Sequence, residues 1–217
     1  MEHAKEYSEK QLHIMDVAID LFADNGFSET SVRQIAEKAD VNVAMINYYF
    51  GSKKELLESI FEYQLANKTI SLETIMKNDK LNPVQKIETY LDYFIESAFS
   101  NLKFNKIMVK RTTTEVDRDS KIFKLVVESR AQYRKIIEEV IVQGQKEQLF
   151  RKGIDIVLMS AIFVGTVNHV LSNVPYYSTI YNIPQGDMKA YKEKFVKKLN
   201  KEIKLIIKSY LSIDAKA

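Results

Sequence analysis

The sequence has no cysteine, which removes disulfides, thiolate metal sites and cysteine nucleophiles from consideration. Proline and glycine are scarce, 3 and 6 in 217 residues, so turns are few and long helices are favoured. No apolar run reaches the roughly 18 residues that a membrane span needs. The longest apolar stretch, 154–171, is broken by Asp155, Ser160, Asn168 and His169. The chain opens Met1-Glu2-His3-Ala4-Lys5-Glu6, with no apolar signal core. The expectation is a cytoplasmic protein without a membrane partner. A strong charge imbalance is also missing: the net charge is +3. Residues 1–55 carry six bases and ten acids, a net of −4. An anionic partner of that segment must be held by a few well-placed groups, not by a basic field.

Apolar residues make up 46% of the chain, enough for a sizeable core. Helical periodicity recurs from end to end and nothing reads as a strand ladder. The first helix spans 8–25, with Ile14, Ala18, Leu21 and Phe22 on one stripe. Asn25-Gly26-Phe27 supplies a helix stop. A short helix over about 30–38 turns inward Val32, Ile35, Ala36 and Ala39. Asp40-Val41 is the turn, and Asn42 is a suitable N-cap for a third helix over 43–49. Ser52 and Glu55 form a capping box that begins the fourth helix. Further helices are expected over 83–100, 104–115, 121–147, 154–171 and 187–211, with 173–186 as a loop around Pro175, Pro184 and Gly186. The whole is all-α, about nine helices, with a boundary between residues 52 and 53.

Two short helices joined by a tight turn and propped by a longer first helix are the layout of a helix-turn-helix DNA-binding head. In its order and spacing, the set Ile14, Ala18, Leu21, Phe22, Gly26, Phe27, Thr30, Ile35, Ala36, Ala39, Val41, Tyr49, Phe50, Ser52, Lys53 and Leu56 resembles the TetR family of transcriptional regulators. The resemblance covers about a fifth of the chain. It implies that 43–49 is the recognition helix, that Ser31 and Arg33 approach DNA from the preceding helix, and that Lys53 touches phosphate. The side-chain chemistry is compatible. Arg33 can bond guanine and Asn47 adenine bidentately, while Val43, Ala44 and Met45 can offer only apolar contact. Thr30, Ser31, Asn42, Tyr48 and Lys53 suit positioning contacts, most of them to phosphate. Tyr49 and Phe50 are assigned to the core. Many family members have glycine at Asp40, lysine or a polar residue at Val43, and an aromatic residue at Asn47. The operator sequence therefore does not carry over.

The resemblance further implies a regulatory body that binds a small-molecule effector among its middle helices. Candidate ligand contacts are Tyr90, Phe94, Met108, Thr112, Phe123, Asn168 and His169. Such aromatic and methionine side chains are also ordinary core residues. The stretch 154–171 is apolar nearly all round, and Ala161 and Gly165 would let another helix approach closely. The last helix carries Phe195, Leu199, Ile203, Ile206 and Tyr210 on one stripe. These surfaces could be buried within one chain or against a second copy; the resemblance favours a homodimer on a palindromic operator. Charge is dense from Arg111 to Asp119, where Arg111 and Glu115 are spaced as a helical ion pair.

The leading reading is a repressor released from its operator by a small ligand. A protein of the same fold whose body binds another protein stays open beside it. A catalytic role is disfavoured: no phosphate-binding glycine loop, nucleophile motif or metal cluster is present in the sequence, and no cofactor is implied.

Overall fold

Residues 6–113 and 116–213 are described in the computed structural model. Helix α1 (Glu9–Asn25) begins where Ser8 and Gln11 cap each other, the Gln11 N–H donating to Ser8 Oγ and the Ser8 N–H to Gln11 Oε1 at 2.9 Å. It ends at Gly26, whose φ of +89° only glycine adopts freely, and Phe27 folds back onto Phe22 with ring centroids 5.3 Å apart. Helix α2 (Val32–Lys38) is capped by Ser31 and Gln34 in the same reciprocal way. Asp40 takes the left-handed conformation (φ +51°) that the turn requires, and Asn42 Oδ1 accepts the Met45 N–H at 2.7 Å to start α3 (Val43–Phe50). Ser52 accepts the Glu55 N–H at the start of α4 (Lys53–Met76).

The chain continues through α5 (Pro83–Ser100), α6 (Leu102–Thr113), α7 (Lys121–Lys146) and α8 (Ile156–Ser172). Helix α9 (Val174–Ile180) stands where a loop is expected. Proline is tolerated in a helix's first turn, so Pro175 opens this helix and does not prevent it. The last helical run comprises α10 (Met188–Tyr191), a π-helical turn (Lys192–Val196) and α11 (Lys197–Leu211). No strand occurs among the described residues. Glu115, the expected partner of Arg111, lies outside them.

Two compact units divide the chain. One comprises Met1–Ile70 and Lys103–Arg130; the other comprises Ser71–Leu102 and Ala131–Ala217. The core of the first is built from Ile14, Ala18, Phe22, Ile35, Ile46 and Phe50 together with Leu56, Ile60 and Phe61 of α4 and Phe104 of α6. Phe61 and Phe104 meet edge to face at 5.2 Å. Each such side chain contributes about 1.5–3 kcal/mol by burial. The head therefore holds its shape by packing on helices that follow it in sequence. The core of the second unit gathers Tyr90, Leu91 and Ile95 of α5, Ile137 and Ile141 of α7, Phe163 and Val167 of α8, and Ile203 and Ile207 of α11. No single helix is long and apolar enough to cross a membrane.

Candidate nucleic-acid interface

Helix α3 is fixed from behind. Ile46 and Phe50 are buried, and Tyr49 is half-buried against the same core. That leaves Val43, Ala44, Asn47 and Tyr48 exposed on the outer face, with Met45 half-buried at its edge. Tyr48 is 85% exposed, far more than a ring of its area would be if it served the core. Asn42 uses its carbonyl oxygen as a cap, and its NH2 group has no partner among the described residues. Ser31 and Arg33 are exposed at the start of α2. Seven of the ten residues expected at DNA thus lie on exposed surface: Ser31, Arg33, Asn42, Val43, Ala44, Asn47 and Tyr48.

Two residues are placed otherwise. Thr30 is 0% exposed; its hydroxyl donates to Gly26 O at 2.8 Å and to Leu21 O at 3.2 Å. It closes the end of α1 and its side chain cannot reach a phosphate. The N-cap of α2 is Ser31. Lys53 is half-buried and turned into the protein. Its ammonium donates to Thr30 O at 2.7 Å, Phe27 O at 2.8 Å and Ser28 O at 3.4 Å, and lies 4.5 Å from the Phe27 ring centroid. Lys54, which sequence reasoning passed over, is exposed. The only sequence signal for it was a second lysine beside the motif lysine.

Two acids of α1, Asp20 and Asp24, have lysine partners away from α3. Lys103 of α6 pairs with Asp20 at 3.1 Å and Asp24 at 3.2 Å, and the hydrogen bonds to Asp20 and then Asp24 raise its pKa. Lys38 reaches Asp20 at 3.9 Å. Helix α3 itself carries no charged side chain. These exposed pairs add little stability, about 0–1 kcal/mol each.

The expected ligand contacts divide between the units. Met108, Thr112 and Phe123 belong to the first; Met108 packs on its core, and the Thr112 hydroxyl is bonded to Met108 O at 2.9 Å. Tyr90, Phe94, Asn168 and His169 belong to the second. There Tyr90, Phe94 and Phe163 form an aromatic triad, with Phe94 and Phe163 at 4.7 Å. Burial raises the Tyr90 pKa. His169 is exposed and meets Tyr177 edge to face at 6.1 Å. A cleft of about 270 Å³ in the second unit is lined by other residues, among them Ile87, Leu91, Phe150, Ile207 and Leu211. Among the described residues, no group of three or more His, Asp or Glu could hold a metal.

The residues expected at a pairing surface on the last helical run divide between core and exposed surface. Phe195 and Ile203 are 6% and 5% exposed, buried in their own chain's core. Leu199 and Tyr210 are half-buried, and Ile206 is 57% exposed. The buried row follows i, i+4 steps through Ile203, Ile207 and Leu211, because α11 packs on α5 along that row. The outward aliphatic residues are Leu205, Ile206 and Ile213, joined on α8 by Val157, Leu158 and Ile162 beside exposed Ala161 and Gly165. The two helices approach where the Asp155 N–H donates to the Tyr210 hydroxyl at 3.3 Å.

A tri-helical head with a pinned, outward-facing third helix, followed by a helical body, defines a helix-turn-helix DNA-binding regulator. Comparison with known proteins agrees. Residues 14–60 match the family model described as "Bacterial regulatory proteins, tetR family", and residues 68–193, more than half of the chain, match "YsiA-like protein, C-terminal region". The chain belongs to the TetR family of bacterial transcriptional regulators. It is 29% identical over 197 residues to the Bacillus subtilis "Probable HTH-type transcriptional regulator YttP", covering 90% of this chain and 91% of that one. Its fold is similar to that of the fatty acid degradation regulator FadR from Bacillus halodurans (TM-score 0.69, 20% identity, 92% of this chain and 97% of that one). It is similar also to FadR from Bacillus subtilis solved in complex with stearoyl-CoA (TM-score 0.67, 16% identity, 92% of this chain and 98% of that one).

Proposed function

We propose that this protein is a homodimeric cytoplasmic repressor that leaves a palindromic operator when a small, largely apolar ligand binds its body. The observation that carries the DNA-binding part is the exposed α3 face, where Asn47 and Tyr48 stand out over buried Ile46 and Phe50. Arg33 and Asn47 read base edges; Ser31, Asn42 and Tyr48 position the backbone, and Val43, Ala44 and Met45 make apolar contact. A short helix without charge binds weakly alone, so pairing of two heads is part of the affinity. The exposed aliphatic residues of α8 and α11 are the surface we assign to the second copy.

The likeness to a regulator solved with stearoyl-CoA supports a long-chain acyl thioester as the ligand class. The aromatic triad of Tyr90, Phe94 and Phe163 is the apolar lining we assign to it. We assign no catalytic role. Selection of bound duplexes from random DNA tests the reading: a palindromic site should be enriched, and stearoyl-CoA should release the protein from it. No enrichment at moderate salt overturns the regulator. Enrichment without calorimetric binding of stearoyl-CoA, or of free stearic acid, favours a body that binds a protein instead.

A further inference from the structure

The loop between α1 and α2 has its backbone carbonyls gathered by side chains. Thr30 takes Gly26 O, and Lys53 takes Phe27 O, Ser28 O and Thr30 O. An ammonium has three N–H donors and no more. All three of Lys53 are directed at this loop, and the Phe27 ring face covers the same charge at 4.5 Å. A second cation is on that ring: the Arg111 guanidinium of α6 lies 4.8 Å from its centroid. The loop is therefore fixed from α4 and α6, and it ends at Ser31, the N-cap of the helix that carries Arg33. The neighbouring Lys54 is exposed, with no ion pair or hydrogen bond among the described residues.

We propose that the two lysines at the start of α4 divide the work of DNA binding: Lys53 is a positioning residue that holds the α1–α2 loop, and Lys54 is the phosphate-contacting cation. The first half departs from what family resemblance implies for Lys53. Moving its ammonium to a phosphate would leave carbonyls of the loop without donors, and such groups are costly to strand. Lys54 has no such bond to give up. The inference rests on the DNA-binding reading, and selection from random DNA fails or succeeds independently of which lysine meets phosphate.

The test uses full-length Lys53→Met, Lys54→Met and parent protein on a duplex that the parent enriches from random sequence. Each phosphate contact contributes about 0.9 to the slope of log K against log salt. For K54M we expect parental melting and a slope shallower by about 0.9. For K53M we expect the parental slope, weaker binding on every sequence and a melting temperature lower by roughly 5 °C. A shallower slope in K53M, or a parental slope in K54M, overturns the proposal. Should K53M not fold, K53R decides. A planar guanidinium can serve a phosphate as well as lysine does but matches three divergent carbonyls poorly. K53R should melt below the parent with an unchanged slope; parental melting overturns the assignment of Lys53.

Discussion

In the first unit, the exposed side chains on α2, α3 and the start of α4 include four hydrogen-bond donors: Arg33, Asn47, Tyr48 and Lys54. In the second, the conspicuous exposed side chains on α8 and α11 are aliphatic: Val157, Leu158, Ile162, Leu205 and Ile206. Donors without protein acceptors suit a polyanion with hydrogen-bonding edges. Exposed aliphatic residues on two helices suit another protein surface of the same kind. The contrast between the two surfaces is what the functional reading rests on, so it is the thing to break.

The largest effect is expected on the aliphatic surface. Ile162→Glu places a charge where a second copy would bury it, so sedimentation should report a monomer. Operator affinity should then fall by about a hundredfold or more, since one head must bind alone. A variant that remains dimeric would move the pairing surface elsewhere. Next comes the donor surface. Arg33→Ala should lose about 1–3 kcal/mol of discrimination at one base pair and leave melting unchanged. Equal weakening on all sequences would make Arg33 a phosphate contact.

A smaller effect concerns a charge within the first unit. Lys68 is half-buried, bonded to Asn105 Oδ1 at 3.1 Å and 5.3 Å from the Phe104 ring, and burial pushes its pKa down to about 8. The unfolded chain holds this proton up to about 10.5. Between pH 8 and 10.5 the unfolded state therefore binds more protons, and stability rises with pH. Below pH 8 the amine is charged in both states and its full cost persists. Lys68→Met should thus be more stable than the parent at neutral pH, by about 2 kcal/mol, and the advantage should shrink as pH rises through that window. A constant difference across the window would rule out titration as the cause.

Much of the head was legible because its signals are local. Gly26, Asp40 and Asn42 each prescribe a backbone conformation within a few residues, and each takes it. The family pattern recorded the same constraints. What sequence could not give depends on distant partners. Lys53 is a surface lysine until Phe27 and Thr30 are brought to it from more than twenty positions away. On α11 the periodicity allowed both the row through Ile206 and Tyr210 and the row through Ile207 and Leu211; only packing on α5 chooses between them. The π-helical turn ahead of α11 left no pattern in the periodicity either.

The smallest predicted effects have opposite signs in the two units. Each buries a hydroxyl. Thr30 in the first unit donates to two carbonyls, so Thr30→Val should cost about 1–2 kcal/mol and lower the melting temperature. Tyr191 in the second is 1% exposed and its hydroxyl has no partner among the described residues. Its ring is held by Phe99 at 6.0 Å and Phe195 at 5.3 Å, contacts that phenylalanine would keep. Desolvation raises its pKa, as expected of a phenol denied water. Tyr191→Phe removes an unsatisfied polar atom and leaves the packing, so it should stabilise by about 1 kcal/mol, a rise of roughly 2–4 °C. If Tyr191→Phe melts below the parent, the hydroxyl has a partner such as an ordered water, and this difference between the two units disappears.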